Sequence, residues 1–395
     1  MNENMDLQED LKDRRERVRE AIRQAGADAC LLSINVNIFY LTGRIFNGYC
    51  YLPVEGEPQL FVKRPNPFDE ANVVYIRKPE DMATVFADGG RTFPRKLLLE
   101  TDEITYNECL RLQAVFRSPE TGNATSLMRR MRMIKTPLEL EQMRFSAARH
   151  SATYSEIGSC FRPGMTDLAF QAEIERRMRL NGSIGFFSVY GQNMNIFMGS
   201  VLAGANAGTP SPFDFALGGD GQTPLCPIGA NGTVLREGMA VMVDMAGNYS
   251  PYLTDMTRVF AVGKLPDLAY RAHRVSLEIQ EAFVSTARPS VSCATLYGQA
   301  LEIATNAGLK DFFMGTRQQA KFVGHGIGLH INELPVLAPR SKDELQPGMT
   351  IALEPKFVIP NTGAVGVENS FLVTDTGVEK LTLFEENIIP LTPSP

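Results

Sequence analysis

The chain has 395 residues, 44% of them apolar, and a formal net charge of −6. That length and composition can fill one large domain and a smaller one, while the acidic balance excludes the basic footprint that nucleic acid or an anionic membrane surface demands. A short peptide or another small molecule is the expected partner. The six cysteines show no C-x-x-C spacing, so they are expected to be reduced, mostly buried thiols rather than a zinc cluster or a redox pair. The N-terminus, MNENMDLQEDLKDRRERVREAI, is dense in charge and lacks an apolar leader core, and no apolar run is long enough to span a membrane. A cytoplasmic protein is expected.

Residues 6–25 read as an amphipathic helix with Leu7, Leu11, Val18 and Ile22 on its apolar face and a solvated charged face opposite. Short β-rich runs follow at 29–34, 49–54, 59–64, 73–78 and 96–100, with a helical pattern at 106–116. This succession predicts an α/β domain with a mixed sheet. The polar, turn-rich stretch 118–126 precedes a long helical pattern from Leu127 to Ile157, in which Pro137 follows Thr136 as a first-turn proline behind a candidate cap. The domain boundary is expected near 125–135, giving domains 1–126 and 127–395.

The second domain carries the trace of an internal repeat. FRPGMTDLAFQAEIERRMRLNG (161–182) and ARPSVSCATLYGQALEIATNAG (287–308) have equal length, share Arg-Pro, place Thr166 and Ser292 as possible caps, and end in glycine. Between the first repeat and the next strands lies a Gly- and Pro-rich stretch, 206–232, without period. A loop that long inside a compact domain is expected to be functional, here an ordered rim around a pocket.

Next comes MAVMVDMAGNYSPYLTDMTRVF, residues 239–260, where Asp244 and Asp255 interrupt runs that otherwise read as interior strands. An ionised carboxylate in such a place is costly unless a positive charge meets it. Glu354 ends the apolar strand TIALE, Glu368 interrupts AVGVENSFLV, and His325 stands between glycines in VGHGIGL. Four buried like charges would repel or take up protons unless cations compensate them, and two divalent ions carry the matching charge. Carboxylate-rich ligation with one imidazole suits manganese, cobalt, iron or zinc. Two such ions could activate a shared water and clamp the oxygens of a tetrahedral intermediate, which is amide-hydrolysing chemistry.

These motifs resemble the pita-bread metallopeptidase family, which includes Xaa-Pro aminopeptidase, prolidase, methionine aminopeptidase and the metal-free creatinase. VMVDMAGNYSPYLTDMTRVF is similar to the family's double-aspartate hairpin, VGHGIGLHINELP to its histidine strand, GMTIALEP and AVGVENSFLVTDTG to its two glutamate strands, and MRMIKTPLELEQMR to the opening helix of its catalytic domain. The resemblance implies an α+β fold class: a creatinase-like N-terminal α/β domain with a mixed sheet, and a C-terminal pita-bread domain with a pseudo-twofold repeat. It implies that Asp244 binds one metal ion, that His325 and Glu354 bind the other, and that Asp255 and Glu368 bridge them. Glu354 would also be the base for a metal-bridging hydroxide. Manganese or cobalt would be the ions, zinc or iron being alternatives, and the chain would be a homodimer.

Three departures stand beside the resemblance. Asn332 occupies the position, seven residues after His325, where the family's peptidases carry a histidine; no histidine lies between His150 and His273; and Gly366 replaces an arginine two residues before the last glutamate. His330 would share a face with position 332 if the segment were extended, and Asn332 can donate a hydrogen bond but not a proton. Glu354, His330 and Asn332 are therefore the candidate catalytic residues. The expected function is hydrolysis of short peptides by an Xaa-Pro aminopeptidase- or dipeptidase-like enzyme. The alternatives are a same-fold enzyme for a non-peptide C–N or C–S substrate, and a non-catalytic binding module.

Overall fold

The computed structural model describes residues 3–191, 197–213 and 215–392. The chain forms two compact units, Met1–Arg132 and Met133–Pro395. The expected boundary after residue 126 falls inside the helix Ala124–Met133. That helix goes with the first unit because Met128 is buried and Arg132 donates to the side chain of Asn37.

In the first unit each β-rich run is a strand. The six-stranded sheet has the order Val73–Tyr75, Gln59–Arg64, Asn47–Pro53, Ala29–Leu32, Lys96–Leu99, Glu120–Asn123. The two pairings made by Asn47–Pro53 are antiparallel and the other three parallel, as a mixed sheet requires. The N-terminal helix Glu3–Gln24 buries Leu11, Val18 and Ile22, and Leu31, Phe61, Phe86, Leu97 and Phe116 fill the core under the sheet.

The second unit is built from two halves that repeat. One half contains the helices Pro137–Ile157 and Asp167–Leu180 and the strands Gly199–Ala203, Met239–Gly247 and Thr254–Val262. The other contains the helices Asp267–Thr286 and Cys293–Asn306 and the strands Gly324–Gly326, Glu333–Leu337, Thr350–Leu353 and Asn369–Val373. The expected caps are made: Thr166 accepts from the Ala169 N–H at 3.1 Å and Ser292 from the Thr295 N–H at 3.3 Å. Each cap residue also forms an isolated β-bridge, Thr166 to Val234 and Ser292 to Glu344. These bridges expose a second stretch of the repeat, LREGMAVMVD (235–244) and LQPGMTIALE (345–354), in which Asp244 and Glu354 are equivalent. Thr136 heads its helix with a full capping box to Glu139. Among the described residues no helix is long and apolar enough to cross a membrane.

Candidate metal centre

Strand period places the first two carboxylates. Val243, Met245, Met256 and Phe260 turn to a buried apolar cluster on one face of the hairpin, so Asp244, Asp255 and Thr257 project from the other. The register pairs Asp244 with Thr257 and Ala246 with Asp255, making the two aspartates diagonal neighbours. Thr257 forms an isolated bridge with Glu368, and its hydroxyl donates to Glu368 Oε2 at 2.7 Å. His325 arrives from the other sheet through a register shift between His325 and Gly326, a bulge of the kind that re-aims a side chain. Gly326 is obligatory there, since a Cβ would stand 2.0 Å from the Leu334 carbonyl oxygen.

The five residues singled out from sequence meet. One ligand atom from each of Asp255, His325 and Glu368 lies within 4.8 Å of the others, and His325 Nε2 is 3.5 Å from Glu354 Oε1. His325 Nδ1 donates to the Gly326 carbonyl at 3.0 Å, which leaves Nε2 as the nitrogen that faces the Glu354 carboxylate and is placed to bind a metal ion. An imidazole nitrogen 3.5 Å from a buried carboxylate oxygen calls for a positive charge there, a proton or a metal ion. Burial above all, then the Glu368 and Asp244 charges, holds the Asp255 carboxyl well above the usual carboxylate range, another mark of a group in want of a positive partner. On this side of the cluster Asp255, His325 and Glu368 fit a divalent ion, and Glu354 stands beside His325.

Lys356 is the residue that sequence reasoning missed. Its Nζ lies 2.6 Å from Glu354 Oε2, 2.9 Å from Asp244 Oδ2 and 3.0 Å from Glu368 Oε2. Its side chain is 1% exposed. Burial alone would lower the lysine pKa, but the three carboxylates outweigh it and hold the group well above the ordinary value. The signal was available: a charged residue begins the strand KFVI, which is buried at all four positions, the same anomaly that marked the aspartates. Its cross-strand partner is Gly366, which has φ +140° and where a Cβ would meet the Pro355 oxygen at 2.3 Å. The strand pair thus closes tightly behind the lysine.

The two halves hold the ligand strands in the same way. From the helix Asp267–Thr286, Ser276 donates to the Pro355 carbonyl at 2.8 Å and Gln280 donates to the carbonyls of Leu353 and Val367, both at 2.9 Å. From the helix Pro137–Ile157, Ser146 donates to the Tyr252 carbonyl at 2.8 Å, His150 Nδ1 meets Thr254 Oγ1 at 3.1 Å, and the Tyr154 hydroxyl donates to the Met256 carbonyl. Arg258, wholly buried, donates to the carbonyls of Thr257, Glu368 and Glu385 at 2.7–2.9 Å.

His330 and Asn332 do not lie on one strand face, because the strand begins at Glu333. His330 forms an isolated parallel bridge with Ser188. The Asn332 side chain accepts from the Tyr190 N–H at 2.8 Å and donates to the Tyr190 carbonyl at 2.7 Å, so its amide extends that pairing instead of pointing a donor at a substrate. The 206–232 loop is tied by Asn206, which donates to the Gly229 carbonyl and accepts from the Asp220 N–H. It lines a cavity of about 300 Å³ with Gly315, Thr316 and residues 318–321 and one of about 230 Å³ with Leu168, Gln171 and Phe197, neither of them lined by the five ligands.

A carboxylate-and-imidazole centre seated between two repeated α/β halves defines the class as a metal-dependent hydrolase fold. The comparisons give the family: the chain belongs to metallopeptidase family M24, whose sequence model matches residues 141–375, with a creatinase/prolidase N-terminal domain matching residues 14–134. It is similar to the uncharacterized peptidase YqhT of Bacillus subtilis, 25% identical over 95% of this chain and 99% of the relative. It also resembles an Xaa-Pro dipeptidase of Pyrococcus furiosus, 23% identical over 96% and 100% of the two chains. Among solved structures it is similar to an Xaa-Pro dipeptidase from Bacillus anthracis, with a TM-score of 0.79, 25% identity and coverage of 96% and 100%.

Proposed function

We propose that this chain is a metal-dependent hydrolase of short peptides, an Xaa-Pro dipeptidase- or aminopeptidase-like enzyme. The observation that carries the reading is the convergence of Asp255, His325 and Glu368 within 4.8 Å, with Glu354 beside His325. A divalent ion on these ligands would polarise the scissile carbonyl and make water a stronger acid. Glu354 would take a proton from the attacking water and deliver it to the leaving nitrogen as the C–N bond breaks. His330, on the segment paired with residue 188, is the candidate donor toward the substrate carbonyl, and Asn332 holds the Tyr190 segment in place. Manganese or cobalt suits so oxygen-rich a ligand set. A homodimer, from family resemblance, and a cytoplasmic setting complete the reading.

The test is hydrolysis of Xaa-Pro dipeptides and tripeptides after incubation with manganese or cobalt. Turnover that disappears on chelation, returns on metal addition and is absent in Asp255→Ala and Glu368→Ala is expected. A metal-loaded protein that cleaves no member of the panel would contradict the reading. One observation favours the second reading, a non-peptide C–N substrate: the amide at position 332 is committed to the backbone of Tyr190. Turnover of another small amide in the same screen, with none of the peptides cleaved, would establish it.

A further inference from the structure

Five protein ligands are the complement for two divalent ions, yet the Lys356 ammonium stands where one of those ions would bind. An ammonium has three N–H donors, and here three separate carboxylates take them, Asp244, Glu354 and Glu368, at 2.9, 2.6 and 3.0 Å. These are charge-assisted bonds of ordinary length, so the group is fully coordinated. A first-row divalent ion binds carboxylate oxygens at about 2.0–2.2 Å. An ion bound to Asp244 Oδ2 and the same glutamate oxygens would occupy the volume of the Nζ atom and repel it. Glu354 divides its oxygens between the two places: Oε2 accepts from Lys356 while Oε1 faces His325. The His325 side therefore keeps its ligand atom, and the Asp244 side does not.

The lysine is anchored as well as placed. Its carbonyl accepts from the Met314 N–H at 2.8 Å, and its strand pairs with 363–366 through Gly366. Vacating the site would require a buried side chain to break three charge-assisted hydrogen bonds at once. Family resemblance places an arginine at 366; the positive charge is carried here by the cross-strand partner instead, and it points into the ligand cluster.

We propose that Lys356 is a built-in cation that replaces one of the two metal ions. The centre of this chain takes a single divalent ion, held by Asp255, His325, Glu354 and Glu368, with the lysine ammonium fixed on Asp244, Glu354 and Glu368. This inference rests on reading the cluster as a metal-dependent hydrolytic centre, but the two can fail separately. The experiment is titration of the metal-free full-length protein with manganese chloride, followed by calorimetry and by metal analysis after gel filtration, in parallel for the wild type and Lys356→Ala.

One equivalent per wild-type chain and a second equivalent in Lys356→Ala is the expected result. Two equivalents in the wild type overturn the inference, and if such protein still cleaves peptides the hydrolase reading stands alone. One equivalent in the wild type with no turnover of any substrate removes the hydrolase reading and leaves the lysine in its place. No binding by the wild type overturns both. Should Lys356→Ala not fold without metal, the wild-type stoichiometry decides by itself, and refolding of the variant in manganese gives the second reading of its capacity.

Discussion

Asp244 and Lys356 face each other across 2.9 Å, one flagged by its sequence context and the other overlooked. The aspartates, glutamates and histidine were legible because a polar group inside an apolar run is expensive, and four carboxylates with an imidazole in one domain suggest a shared purpose. Lys356 escaped because it follows Pro355, where a strand opens, and a lysine at a strand end usually reaches water. Only the cross-strand pairing shows that it points inward.

His150 is a second residue whose environment sets its chemistry. It is wholly buried, and burial, helped by the Arg258 charge, lowers its pKa from 6.5 to about 3. The unfolded chain therefore binds a proton that the folded chain refuses between those values, so stability rises with pH across the window. The contribution is complete above about pH 6.5 and is lost progressively as pH falls toward 3. At about 1.4 kcal/mol per unit the full gap sets an upper bound of roughly 5 kcal/mol. Urea midpoints measured from pH 7 to pH 4 are expected to fall less steeply in His150→Gln than in the wild type. Parallel slopes would show that His150 does not titrate on unfolding.

At the scale of elements, the site depends on two helices that grip the backbone of the ligand strands. Ser146 and His150 on one helix, and Ser276 and Gln280 on the other, sit at the same four-residue spacing and hydrogen-bond to the strands beside the ligands. In sequence these read as ordinary polar residues on amphipathic helices, because their importance lies in which groups of the ligand strands they reach. Gln280→Leu removes the donor to two buried carbonyls, each worth about 1–3 kcal/mol when left unsatisfied. A loss of roughly 2–6 kcal/mol in urea unfolding is expected, together with a fall in metal affinity of about 10–100-fold, as for other groups that orient ligands. Lost stability with unchanged affinity would show that Gln280 supports the fold without positioning Glu354 and Glu368. Helix starts were readable from Thr136, Thr166 and Ser292, since caps are local chemistry. The register between strands 110 residues apart in the repeat was not, since it emerges only when LREGMAVMVD and LQPGMTIALE are seen to occupy equivalent places.

At the scale of the molecule, two compact units have separate cores, one around Phe61, Phe86 and Phe116 and others in the catalytic unit. The order of elements and the two-unit plan followed from composition and period. The exact parting did not, because the helix Ala124–Met133 continues the helical pattern of the second unit while its buried Met128 and Arg132 serve the first. What the duplicated catalytic unit achieves is a junction where each half supplies carboxylates, Asp244 and Asp255 from one and Glu354 and Glu368 from the other, with His325 added from the second half alone. That asymmetry gives the centre one side fitted for a metal ion and one side filled by Lys356. Anomalous diffraction from crystals soaked in manganese chloride examines this claim at the atoms themselves. The account predicts a single anomalous peak per chain among Asp255, His325, Glu354 and Glu368, with the Lys356 side chain still on Asp244; two peaks flanking Asp255 and Glu368 with the lysine displaced, or no peak at all, would contradict it.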